Sequence, residues 1–164
     1  MVTSCAMVIA YYEGKITRFV NLMFPRAIID AMSEDNIARL KAAEAEEPIA
    51  AYLKIKLTKL TPGYAKVSMK VLPEHLNFNG MVFGGIVMAV ADQAFAYATN
   101  SLVTPSIATQ FNIHLISGAA VGDELSAECR VIKSGRRIGV SEMTVTNQSG
   151  KLIAKATGTT VVIS

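Results

Sequence analysis

From residue 53 the polarity of the chain alternates. Leu53, Ile55 and Leu57 are interleaved with Lys54, Lys56 and Thr58, the period of a strand with one buried face. Thr61-Pro62-Gly63 marks a turn, and Ala65, Val67, Met69 and Val71 then alternate with Lys66, Ser68 and Lys70. The two runs read as a hairpin with a dry face and a lysine-studded wet one. Strands return near residue 107. Ile107, Thr109, Phe111, Ile113 and Leu115 share one face, and Leu125, Ala127, Cys129 and Val131 share the next. Ser134-Gly135-Arg136-Arg137 turns into a strand over residues 138–146, Asn147-Gln148-Ser149-Gly150 turns again, and residues 152–163 close the series. Four consecutive strands joined by short turns predict an antiparallel meander.

Between hairpin and meander, residues 83–100 carry Val87, Met88, Val90, Ala91, Ala94, Phe95, Ala96 and Ala98, apolar almost all the way round. A helix of that kind is buried on every side. The expected architecture is α+β, with an antiparallel sheet of about six strands wrapped around one long central helix. Ahead of it, Ile28, Ile29, Met32, Ile37, Leu40 and Ala43 recur at near-helical spacing over residues 26–47, and Ser33 with Glu34 and Asp35 offers a cap for a second segment. This predicts one interrupted helix or two short ones ending before Pro48. The chain thus divides into an N-terminal segment, 1–48, and a domain, 49–164. Residues 1–24 fit no motif, and Met23 is a candidate for the true start.

A chain of 164 residues, 51% apolar and 18% charged, fits one domain with a sizeable core. Sixteen Lys and Arg against thirteen Asp and Glu leave +3, too small an excess to imply a nucleic-acid partner. Cys5 and Cys129 are too far apart in sequence and too few for a disulfide framework or a zinc cluster, so no metal is expected and a reducing cytoplasm is the natural location. The mean hydropathy of +0.37 raises the membrane question. Residues 5–12 are too short to span, and residues 81–98 carry Asp92 and Gln93 at their centre. No membrane partner is expected.

Asp92 is the one charge between residues 81 and 98. A buried carboxylate either pairs or caps, or has its pKa raised and serves as nucleophile or general base. Gly84-Gly85 opens the same helix, where free N–H groups favour developing negative charge and glycine permits close approach; a tight loop-to-helix turn is the plainer reading. Upstream, His75-Leu76-Asn77-Phe78-Asn79-Gly80 supplies amide side chains and a turn. Gly84 and Asp92 are eight residues apart, roughly 12 Å along a helix. One helix cannot readily bring both to a single carbonyl carbon, whereas two helices related by a twofold axis can. The spacing therefore predicts a dimer with paired sites at its interface.

The run Asn77-Phe78-Asn79-Gly80-Met81-Val82-Phe83-Gly84-Gly85, continuing to Ala91-Asp92-Gln93 and Asn100-Ser101, resembles the hotdog-fold acyl-CoA thioesterases of the phenylacetate-degradation (PaaI-type) group. The likeness spans residues 50–163, including Gly122-Asp123 before the fourth strand. It implies that Asp92 is the catalytic carboxylate, that the Gly84 amide polarises the thioester carbonyl as an oxyanion donor, and that Asn77 helps hold substrate or water. Gly85 and Phe83 fall beside the substrate. Phe83 replaces the family's His, and His75, eight positions earlier, does not match it. Ile116-Ser117 stands where many relatives carry a basic residue and Pro. Lys133, Arg136 and Arg137 surround the turn after the fourth strand, where relatives contact pantetheine and phosphate; an ordinary solvated basic turn is the alternative. His114 reads as a sheet-face residue, and Met81, Met88, Phe95 and Tyr97 as core or acyl-pocket lining.

The expectation is an acyl-CoA thioesterase, dimeric or tetrameric, whose coenzyme A belongs to the substrate and which needs no cofactor. The alternatives are a non-catalytic acyl-CoA binding module, favoured by Phe83, and a hotdog hydratase or dehydratase, for which neither His75 nor His114 has the required placement.

Overall fold

The computed structural model describes residues 26–163, and side chains from residue 34. The readings on residues 1–24 and on Met23 as a start lie outside that range. Helix α1 (Arg26–Glu44) is followed by the short helix α2 (Pro48–Leu53), the hairpin β1 (Lys56–Thr61) and β2 (Tyr64–Lys70), and the central helix α3 (Gly84–Asn100). Strands β3 (Ser106–Leu115), β4 (Glu124–Ser134), β5 (Ile138–Thr146) and β6 (Leu152–Val162) complete the domain. The six strands form one antiparallel sheet in the order β1-β2-β4-β5-β6-β3. No helix among the described residues is long and apolar enough to cross a membrane.

The sheet curls around α3. Val90, Ala91, Ala94, Phe95 and Ala98 meet the inner faces of β2 (Ala65, Val67, Met69), β4 (Leu125, Ala127, Cys129) and β5 (Met143, Val145), all buried. Alanine on the helix lets the sheet come close. Gly158 of β6 goes further, because a Cβ there would stand 2.5 Å from the Phe95 ring. The Phe95 ring in turn packs edge-on to Phe111 of β3, 5.9 Å between centroids. Burial pushes the Cys129 thiol up to about 12, leaving it a small apolar core residue.

Several sequence expectations need correction. Helix α1 is continuous, so Ser33, Glu34 and Asp35 lie inside it rather than capping a second segment. Leu53 is not in a strand. It ends α2, and Lys54 takes a left-handed φ of 56° that closes the helix, with the Lys54 and Ile55 N–H groups donating to Ala51 and Ala50. Leu53 and Ile55 are both buried, so the cap imitates the alternation of a strand. The last four strands are not a simple meander. β4, β5 and β6 are consecutive, but β3 pairs with β6 and β2 with β4. Helix α3 carries the chain across the sheet to its far edge before β3 begins. Ile107 does not share the face of Phe111 and Ile113: a bulge between Ala108 and Gln110 reverses the alternation and turns Ile107 outward.

The most consequential difference is in α3. Its flank is open: Met88, Asp92 and Ala96, at helical spacing, are exposed in the single chain. Asp92 is therefore not enclosed by its own domain.

Candidate active site

The segment before α3 is built by short-range hydrogen bonds. Pro73–His75 is a single 3-10 turn in which the Leu72 N–H donates to His75 Nδ1 at 3.1 Å. The His75 carbonyl accepts from the Phe83 N–H at 2.9 Å. His75 is buried and holds this loop, a structural role consistent with its mismatch to the family's His. Next, the Asn77 N–H donates to Met81 O at 2.7 Å and the Gly80 N–H to Asn77 O at 2.9 Å. Asn77 Oδ1 accepts from the Asn79 N–H (2.9 Å) and the Met81 N–H (3.2 Å). Gly80 supplies the left-handed φ of 70° that this tight reversal needs. The side-chain oxygen is thus committed to the turn, while among the described residues Asn77 Nδ2 donates to no protein acceptor.

Phe83 caps α3 in an extended conformation, with its ring folded against Gly85. The N–H groups of Gly84 and Gly85, the first of the helix, have no protein acceptor among the described residues. They point their partial positive charge out of the helix start. An open cleft of about 330 Å³ lies here, lined by Asn77, Val82, Gly84, Val87, Leu115 and Ser117 among others. The structure therefore brings together two of the three residues named as catalytic, Asn77 and Gly84. Gly85 and Phe83 border them.

Asp92 is not in this cleft. It lies two turns further along α3 on the open flank, and its helical neighbours at three and four positions, Met88, Ala89, Phe95 and Ala96, are all apolar. Although the side chain reaches solvent, the protein mass around its carboxyl group strips enough water to raise its pKa above the ordinary aspartate value. No hydrogen-bond donor among the described residues offsets that. The neighbouring face of the same helix is occupied: Gln93 Nε2 and Tyr97 Oη donate to Glu47 Oε2 at 2.8 and 2.7 Å, pinning the start of α2 to α3. Tyr97 is therefore part of a structural clamp, and Phe95 is core.

Lys133, Arg136 and Arg137 lie at or beside the β4–β5 turn. Ser134 and Gly135 of that turn face Thr99, Leu102 and Val103, so the turn sits at the C-terminal end of α3. A helix of 17 residues spans about 25 Å, and within one chain these cations are at the opposite end from Gly84. The sequence reading missed Leu115 and Val87 as cleft residues, since alternation assigned them to faces without saying what those faces meet. Ser117 was noted only as a departure from the family pattern.

A six-stranded antiparallel sheet around one helix, with a glycine-opened helix start facing a cleft, defines the hotdog class. The pattern of the thioesterase superfamily matches residues 79–154. The acyl-coenzyme A thioesterase PaaI of Escherichia coli is 33% identical, over 62% of this chain and 73% of that one. Human acyl-coenzyme A thioesterase 13 is 30% identical, over 62% and 75%. The structure of E. coli PaaI, from the phenylacetic acid degradation operon, superposes with a TM-score of 0.76 at 29% identity, covering 83% of this chain and 96% of that one. A Streptococcus mutans protein bound to acetyl CoA gives 0.65 at 28%, covering 67% and 89%. The chain belongs to the thioesterase superfamily, and within it to the PaaI-type hotdog group.

Proposed function

We propose that this protein hydrolyses acyl-CoA thioesters to the free acid and coenzyme A, at sites each shared between two copies of the chain. The observation that carries the reading is the division of the site: Asn77 and Gly84 share a cleft, while Asp92 stands outside it on an exposed flank. The ten-residue strand β3 is one edge of the sheet, and its unpaired N–H and C=O groups can extend the sheet into a second copy. Antiparallel apposition of two α3 helices then carries Asp92 of one copy to the Gly84 cleft of the other. The same apposition swings the Lys133, Arg136 and Arg137 turn of the second copy toward that cleft, where the phosphates of coenzyme A need cations. The dimer is the smallest unit with a complete site; a tetramer is two such dimers.

In this arrangement the thioester oxygen accepts a hydrogen bond from the Gly84 N–H at the positive end of α3, which stabilises the oxyanion as it forms. Asn77 Nδ2 donates to the substrate or to the attacking water. Asp92 of the second copy acts either as nucleophile, giving a mixed anhydride that water cleaves, or as the base that deprotonates water. In both cases the carbonyl carbon loses the CoA thiolate and gains one oxygen. The reading invokes no separate cofactor, and we assign the protein to the cytoplasm, where acyl-CoA is available.

The test is thiol release from a panel of acyl-CoA thioesters by wild type and Asp92→Asn side by side. Turnover in the wild type that falls by about 10²–10⁴ in the variant is expected. Acyl-CoA binding with no turnover in either protein would establish the binding-module alternative instead.

A further inference from the structure

Leu115 is the last residue of β3, paired with Ala154 of β6, and 56% exposed. Its side chain nevertheless lies against the start of the helix: a Cβ built on Gly84 would stand 2.8 Å from Leu115 Cδ1. Apart from its chain neighbours Phe83 and Gly85, no other side chain among the described residues comes within 4 Å of that point. A leucine methyl at the end of β3 therefore forms part of the cleft wall beside the oxyanion donor. Val82, Val87 and Ile116 add aliphatic lining and Asn77 and Ser117 polar lining, and within one chain no charged side chain among the described residues lines the cleft.

We propose that Leu115 is the residue that sets acyl selectivity, so that the site accepts thioesters unbranched at the α-carbon and excludes those substituted there. The inference rests on the proposed thioesterase reading. A carbonyl oxygen bonded to the Gly84 N–H at about 2.9 Å places its carbon and α-carbon beside the Leu115 methyl. A CH₂ at the α-position passes that methyl, whereas a second carbon substituent meets it. Both walls belong to regular elements, so they cannot retreat as a loop would.

The experiment compares kcat/KM for a straight-chain acyl-CoA and its α-methyl isomer in wild type, Leu115→Ala and Leu115→Phe. Wild type is expected to favour the straight chain. Leu115→Ala should raise the branched-to-straight ratio about tenfold or more, the usual scale for one methyl group in an apolar pocket, and Leu115→Phe should lower it. Because Leu115 is largely exposed, the folds should survive; if Leu115→Ala does not fold, Leu115→Val carries the same test with a smaller rise. A ratio unchanged within about twofold in the variants, with the straight chain still turned over, overturns the selectivity role and leaves the thioesterase reading standing. No turnover of any thioester by wild type removes both.

Discussion

The proposed division of the site between two copies makes a quantitative prediction about mixtures of inactive variants. Asp92→Asn removes the carboxylate. Asn77→Asp removes the Nδ2 donor yet keeps the oxygen that accepts from the Asn79 and Met81 N–H groups, so the turn beneath it is preserved. Each variant alone should lose about 10²-fold or more in kcat, the scale for a base or a single oxyanion-region donor. In a mixed dimer, one site receives both lesions and the other receives neither. The undamaged site combines Asn77 from the Asp92→Asn copy with Asp92 from the Asn77→Asp copy. Random reassembly at equal concentrations makes half the dimers mixed, each with one working site of two, so the mixture should recover about a quarter of wild-type activity. The assay is thiol release after the variants are mixed, partly unfolded in denaturant and refolded together, with each variant refolded alone as the control. The roughly 12 Å between Gly84 and Asp92 along α3 is the reason to expect recovery. If the mixture stays at the level of the separate variants while an affinity tag on one variant co-purifies the other, the site is complete within one chain and the proposed division is wrong.

Three further outcomes follow from the same structure. Desolvation raises the Asp92 pKa, and the reaction needs the carboxylate, so the acid limb of kcat/KM should fall at a pH above the about 3.9 of a free aspartate. A raised folded-state pKa also means that this group's contribution to stability is present at low pH and lost as pH rises through the folded value; Asp92→Asn should therefore melt no lower than wild type at pH 7, while a lower melting temperature would contradict that assignment. In the core, Gly158→Ala would set a methyl 2.5 and 2.7 Å from Phe95 Cζ and Cε1, and Phe95 is fully buried. Overpacking of this kind costs about 1–3 kcal/mol, which at fixed protein concentration should lower Tm by about 2–12 °C; an unchanged Tm would mean that the Phe95 ring has room to move.

How much of this was legible in the chain depended on whether the information was local. The alternation at Ala65–Val71 and Leu125–Val131 is real burial on one face, because both strands lie mid-sheet over α3. The central helix was legible from its length and composition, and the Asn77–Gly80 turn from residue type alone. The neighbours of each strand were not, since period two defines a strand and says nothing about its partner. Only the passage of α3 across the sheet puts β3 beside β6. Ile107 was misplaced because one bulged residue reverses every side chain beyond it. Lys54 was misread because a lysine rarely takes a left-handed cap, so that α2 imitated the strand that follows it. Asp92 stood out by its isolation among apolar residues, but its exposed flank was not legible, because a helix apolar on nearly every side reads as buried on every side.

That last point bears on how the site is switched on. In the single chain, Asp92 sits on an open flank with its carboxyl already partly desolvated and with no donor to hold it. A second copy laid along that flank covers Met88 and Ala96 as well, removing apolar surface from water, which favours association. The same contact drives water from the carboxyl group and sets it opposite the helix start of the other chain. Desolvation raises the basicity of Asp92, and the Gly84 N–H supplies the field that the developing oxyanion requires. On the proposed mechanism neither group is productive in an isolated chain, where Gly84 faces an open cleft and the Asp92 side chain reaches solvent. On the proposed reading assembly and catalytic competence are one event, and the apolar residues around Asp92 serve both. A substitution that weakens the flank without touching substrate, such as Met88→Lys, would lower activity in proportion to the fraction of chains left unpaired.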